Sequence, residues 1–293
     1  MKTKLDICKQ TRQIAIDTLE KTLNDVLKKE GKVSEVMFRD MWLDELRKHK
    51  TIFPDGWYMP PPHGIIILFA NDNNVKRLNF KSARGDEYWP KEDVYLNLTN
   101  GLMYCYASSV DKKTGIIGDF GMSLYFGSDS EMKTLLKTCL KIDSDIFNYL
   151  QIGQTFSQVS LFTERLLNQQ GMINEAVGLT DKGDMIVGHT IPDAFKDWSK
   201  KEKIISQNDR KDWGSIKDII SKKRVNIKKG ESLMIKPGSA FTVEVRPTIV
   251  ANPYLPESLS YHTIALFDQD GNKELLTGFD KIFKIVGMDY MLN

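Results

Sequence analysis

The sequence predicts an α+β fold in one domain spanning residues 1–293. Two runs with helical spacing open the chain, two more fall in its middle, and short apolar strands follow each pair. Helices segregated from strands in this way mark α+β rather than a regular βα alternation. No short-period repeat and no low-complexity tract interrupts the order.

Residues 1–50 hold the first helical pair. Ile7, Ile14, Leu19, Leu23, Val26 and Leu27 recur at helical spacing, and Gly31 stops the run. Ser34 is the candidate N-cap of a second helix with Met37, Met41 and Leu46 on one face. Residues 53–63 hold four of the ten prolines, including Pro60-Pro61-Pro62, and read as an extended connector into a buried strand at 65–69. Residues 94–98 and 102–107 read as strands, 111–115 as a turn, and 116–117 and 122–126 as strand again. Ser130 opens a helix that buries Met132, Leu135, Leu136, Cys139, Ile142 and Ile146. Another runs from about 157 to 170, with Val159, Phe162, Leu166 and Leu167 inward and Gly171 as its stop. Residues 196–230 are polar and basic and read as a surface excursion, with Lys222-Lys223-Arg224 as a solvated cluster. Residues 240–245 and 261–267 read as strands, with Asp270-Gly271 as a turn.

Composition narrows the function. Lys plus Arg is 41 and Asp plus Glu is 39, so a net charge of +2 argues against nucleic-acid binding by bulk charge. No apolar stretch has the length of a membrane span, and the N-terminus lacks an apolar signal core. Cys8, Cys105 and Cys139 are too widely spaced for a metal knuckle or redox pair. A cytoplasmic protein with reduced thiols is expected.

Four histidines are present. His49 sits in a charged helix end, and His63 follows three prolines. His189, in a Gly-His step, and His262, in an apolar strand, are better placed for chemistry. Glu244 interrupts the apolar strand Phe241-Thr242-Val243-Glu244-Val245, and Asp119 lies in Ile117-Gly118-Asp119-Phe120-Gly121. A carboxylate among apolar strand residues is costly unless it is paired or metal-bound. Taken singly, each of these residues also fits a salt bridge, a turn or a polar sheet face. Phosphate-loop, zincin and serine-hydrolase motifs are absent.

These same residues resemble the pita-bread superfamily of methionine aminopeptidase, aminopeptidase P, prolidase and creatinase. Residues 118–127 resemble the strand of the family's second metal aspartate. Gly188-His189 resembles its Gly-His ligand, and 236–244 resembles its Phe-Thr-Ile-Glu segment, whose glutamate binds metal. Residues 262–277 resemble the last strand pair. The resemblance spans about residues 11–277 and implies a curved antiparallel sheet with helices on its outer face. It also implies a metal held by Asp119, His189, Glu244 and His262, a small-molecule or short-peptide substrate, and room for a homodimer.

The sequence departs from that pattern. The family's first metal aspartate falls on Asn97, or on Ser108 by a gap-free count back from Asp119. Its last glutamate falls on His262, and a histidine upstream of the first aspartate falls on Asn79. With fewer carboxylates to screen two cations, the set suits one zinc, iron or manganese ion, or none. Asn79, Asn97 and His63 are the candidate substrate-binding residues. Three readings follow: a one-metal enzyme acting on a small amino-acid-like or amide substrate and weak on standard peptides; a metal-free pseudo-peptidase that binds a peptide or protein partner; and an ordinary dinuclear aminopeptidase.

Overall fold

The computed structural model describes residues 2–71, 75–178, 184–194, 213–249 and 259–292. Helix α1 (Lys4–Leu27) starts at Thr3, which accepts the Asp6 amide while Asp6 reaches back to the Thr3 amide. Helix α2 (Glu35–Arg47) is capped by Ser34 and buries Phe38, Trp42, Leu43 and Leu46, leaving Met37 exposed. The expected Met37–Met41 stripe is therefore displaced by one position. Phe38 and Trp42 claim the core because aromatic rings bury more apolar area.

Strands β1 (Ile65–Ala70), β2 (Leu102–Ala107) and β3 (Phe120–Tyr125) form an antiparallel meander. The strand expected at 94–98 is not formed. Both edges of β2 are already taken, and this segment hydrogen-bonds to the α1–α2 connection instead, through Leu96 N–H to Val33 O and Glu35 N–H to Val94 O. Helices α3 (Ser130–Tyr149) and α4 (Phe156–Gln169) follow, capped by Asp129 and Thr155.

The second half supplies β4 (Met172–Asn174), β5 (Gly188–His189), helix α5 (Trp213–Lys223), β6 (Asn226–Ile227), β7 (Ala240–Val243), β8 (Pro247–Ile249), β9 (Tyr261–Phe267) and β10 (Lys273–Leu276). Helix α6 (Asp280–Ile285) closes the described chain. Strand β9 joins the halves: β3, β7 and β10 all pair with it antiparallel. The strands β1, β2, β3, β7 and β9 are buried along their whole length, so the sheet is covered on both faces.

The expected surface excursion at 196–230 lies outside the described residues over 196–212. Its described part differs from the expectation. Helix α5 buries Ile216, Ile219 and Ile220 at i, i+3, i+4 spacing, and Arg224 after it is buried, so the basic cluster is not a solvated face throughout. Among the described residues, no helix is long and apolar enough to cross a membrane.

Candidate metal centre

The sheet register brings four distant residues together. Asp119 lies one residue before β3, and His262 pairs with Gly121 of β3. The Val243–Thr263 pair of β7 and β9 sets Glu244, one residue on, beside His262. His189 reaches them from β5, its amide donating to Thr242 Oγ1 at 2.9 Å. That approach requires a glycine before it. A Cβ on Gly188 would lie 1.9 Å from the Thr242 carbonyl oxygen.

The donor atoms converge. His189 Nε2 lies 3.6 Å from Asp119 Oδ2 and 3.6 Å from Glu244 Oε1. His262 Nε2 lies 2.7 Å from Glu244 Oε2. One ligand atom each from Asp119, His189 and His262 falls within 4.8 Å of the others. Donors around a tetrahedral zinc stand roughly 3.4 Å apart, given bonds of about 2.0–2.1 Å. The two 3.6 Å separations match this, whereas the His262–Glu244 approach is tighter and would have to open.

The outer contacts prepare these side chains. His189 Nδ1–H donates to the Thr190 carbonyl at 3.0 Å, which fixes the tautomer and turns the Nε2 lone pair inward. Trp57 Nε1–H donates to Asp119 Oδ1 at 2.7 Å and leaves Oδ2 for the site. Among the described residues, Asp119 Oδ2 and both ring nitrogens of His262 are buried without a hydrogen-bond partner. Despite its 2.7 Å approach to Glu244, His262 Nε2 does not meet hydrogen-bond geometry. Buried lone pairs left in this way are costly, and a cation among them would satisfy them. Asp119, His189 and His262 therefore form a possible three-residue metal site, with Glu244 beside it.

Burial sets the protonation states. It raises Asp119 to about 6, against the pull of His262 and the Trp57 N–H. Burial and the facing Arg224 cation lower His189 to about 3, so its ring is neutral and ready to ligate. For Glu244 burial acts upward, but His262, His189 and Arg246 outweigh it and hold the carboxyl at about 2.

Register separates the two candidate positions, Asn97 and Ser108. One step past the Ala107–Phe120 pair, Ser108 stands opposite Asp119. Its hydroxyl is already committed, donating to Gly64 O at 2.9 Å and accepting the Tyr58 amide at 3.1 Å. Asn97 lies beyond the other end of β2, where its Oδ1 accepts the Thr99 and Asn100 amides in a turn. The cavity at the centre is lined by Trp57, Tyr58, Tyr106, His189, Arg224 and Glu244 among others, and by none of Asn79, Asn97 and His63. His63 instead faces Asp55 at 3.0 Å.

Sequence reasoning missed Trp57 and Arg224. The i, i+3, i+4 isoleucines before Arg224 were the available signal that its segment packs inward. Nothing in the proline-rich connector singled out Trp57.

No protein-family model matches the chain, and no curated protein does. Solved structures do. A methionine aminopeptidase from Rickettsia prowazekii matches with a TM-score of 0.61 at 15% identity, over 94% of this chain and 96% of that one. An Xaa-Pro dipeptidase from Bacillus anthracis matches with a TM-score of 0.60 at 15% identity, over 94% of this chain and 60% of that one. The chain has the pita-bread fold. Prolidase from Pyrococcus furiosus is a third pita-bread match, with a TM-score of 0.59 at 10% identity, over 94% of this chain and 64% of that one. This chain thus spans about 60% of the dipeptidase's length and nearly all of the methionine aminopeptidase's. At such identities the likeness concerns the pita-bread fold.

Proposed function

We propose that the chain is a hydrolase-like pita-bread enzyme with a reconfigured, one-metal site, acting on a small amino-acid-like or amide substrate. One observation carries the reading: Asp119 Oδ2 is buried with no hydrogen-bond partner among the described residues and converges with His189, His262 and Glu244. Asp119, His189, Glu244 and His262 would hold the ion, which when bound polarises a carbonyl and acidifies a bound water. The chain's own residues do the positioning. Thr190 orients His189, and Trp57 holds one oxygen of Asp119. Three free, buried cysteines accord with the cytoplasmic location we assign it.

Ser108 supports a single ion: opposite Asp119 it offers a committed hydroxyl and no carboxylate. Standard methionyl and Xaa-Pro peptides should be turned over poorly. A single oxyanion-stabilising donor is typically worth about 10²–10³ in rate, and the chain lacks the auxiliary histidine expected after Gly188-His189.

The test is metal per chain in wild type and His189→Ala, after reconstitution with zinc, iron or manganese. One metal in wild type and none in the variant is the expected result. Two metals would refute the one-metal site and restore the dinuclear reading. No metal under any condition would favour a pseudo-peptidase that binds a peptide or protein partner.

A further inference from the structure

Trp57 comes from the proline-rich connector between α2 and β1, and it is 2% exposed. Its backbone is pinned beside Asp119 by the strand opposite. The Trp57 amide donates to the Ser108 carbonyl at 3.0 Å and the Tyr58 amide to Ser108 Oγ at 3.1 Å. Ser108 itself stands opposite Asp119, one step past the Ala107–Phe120 pair. Gly56 makes this approach possible, because a Cβ there would lie 2.2 Å from Ser108 Oγ. The indole then makes three contacts at the centre. Its Nε1–H donates to Asp119 Oδ1 at 2.7 Å. Its ring stands perpendicular to the His189 imidazole, with centroids 5.5 Å apart, and the Arg224 guanidinium carbon lies 4.0 Å from the ring centre. These contacts fix the plane of the ring and the direction of its N–H.

We propose that Trp57 is a positioning residue of the metal centre, and that its indole N–H restrains Asp119 to ligate through Oδ2 alone. The proposal rests on the one-metal reading and adds what sets the mode of ligation. Oδ2 is the oxygen that faces His189 Nε2, at 3.6 Å. For Asp119 to chelate one ion with both oxygens, or to bridge two ions, Oδ1 must turn onto a cation. The Trp57 N–H then loses its acceptor inside the protein. A buried donor left unpaired bears its full desolvation cost, and that cost opposes both arrangements. The same N–H keeps the carboxylate from rotating in the metal-free protein, so the ligand oxygen is already aimed. Outer partners of this kind typically set metal affinity by about 10–100-fold.

The experiment compares the full wild-type chain with Trp57→Phe and with a chain carrying benzothienylalanine at position 57, where sulfur replaces the N–H and the ring keeps its shape. Zinc affinity of the metal-free proteins is read by competition with a coloured chelator. Ligation by Asp119 is read from infrared difference spectra, zinc-loaded minus metal-free, with isotope-labelled aspartate. Wild type should bind one zinc and show the wide splitting of carboxylate stretches that marks one-oxygen ligation. Both variants should still bind one zinc, at least ten-fold more weakly, with the narrower splitting of two-oxygen ligation. A role in packing alone would spare the sulfur isostere and leave its infrared bands in place. Unchanged affinity and bands in the folded variants, or two-oxygen ligation in wild type, would overturn the proposal. If neither variant folds, the wild-type infrared spectrum decides alone. Wild type that binds no zinc, or two, sinks the one-metal reading and this proposal with it. One zinc in wild type, bound equally well by the variants, sinks this proposal alone.

Discussion

Asp119 is where the residue-scale energetics concentrate. Burial is the largest influence on it and raises its carboxyl from 3.8 to about 6. The folded state then binds this proton more tightly than the unfolded chain does. The contribution to stability is complete below pH 4 or so and is lost as pH rises through about 6. At neutral pH the ionised carboxylate opposes folding of the metal-free protein by up to roughly 3 kcal/mol, at 1.36 kcal/mol per pKa unit. Asp119→Asn should therefore raise the melting temperature of the metal-free protein at pH 7.5, with no gain at pH 3.5, while removing metal binding. Unchanged melting at pH 7.5 would show that the carboxylate is not strained there. The same shift governs metal affinity. His189, lowered to about 3 by burial and Arg224, brings no competing proton, whereas Asp119 does. Affinity should fall as pH drops below about 6 and Asp119 takes up its proton, measured by competition with a coloured chelator.

At the scale of elements, one residue of α1 binds the sheet that carries the site. Arg12 is 1% exposed and donates through Nη1 to the Asp119 carbonyl, and through Nη2 to the carbonyls of His262 and Thr277, both at 2.7 Å. The backbones of two donor residues and the end of β10 are thus held by one guanidinium stacked over Phe120. Gly118 permits the approach, since a Cβ there would lie 2.3 Å from the Arg12 amide nitrogen. Arg12→Met leaves three carbonyls without this donor and should cost about 3 kcal/mol or more. Chemical denaturation would check this, with weaker metal binding expected in parallel. A loss below about 1 kcal/mol would mean that water replaces the guanidinium. This network shows what the sequence exposed and what it hid. Helices α3 and α4 and strands β2 and β9 were legible because apolar periodicity reports burial directly. Asp119, His189, Glu244 and His262 stood out because each is polar within or beside an apolar strand. Arg12, Trp57 and Arg224 were hidden for the opposite reason: their burial depends on contacts between segments far apart in sequence. The segment holding Asn97 reads as a strand in isolation, and only the completed sheet shows that both edges of β2 are taken.

At the scale of the whole molecule, the metal would act as a tie. Asp119 extends β3, His189 ends β5, Glu244 extends β7, and His262 lies within β9, so a single ion would join three strands of the main sheet to β5 of the β5–β6 pair. The unfolded chain cannot gather these donors, and binding free energy therefore adds to folding free energy. At a free metal concentration of 100 times Kd the gain is about 2.7 kcal/mol. At roughly 2–4 °C per kcal/mol for a protein of this size, the melting temperature should rise by about 5–10 °C. The rise should follow a one-site curve, continue slowly with the logarithm of concentration, and vanish in His189→Ala. A second step in the titration would mean a second ion. No shift with zinc, iron or manganese would mean that the four strands are held without one. In that case the His262–Glu244 approach of 2.7 Å would be a structural contact rather than a contracted metal site.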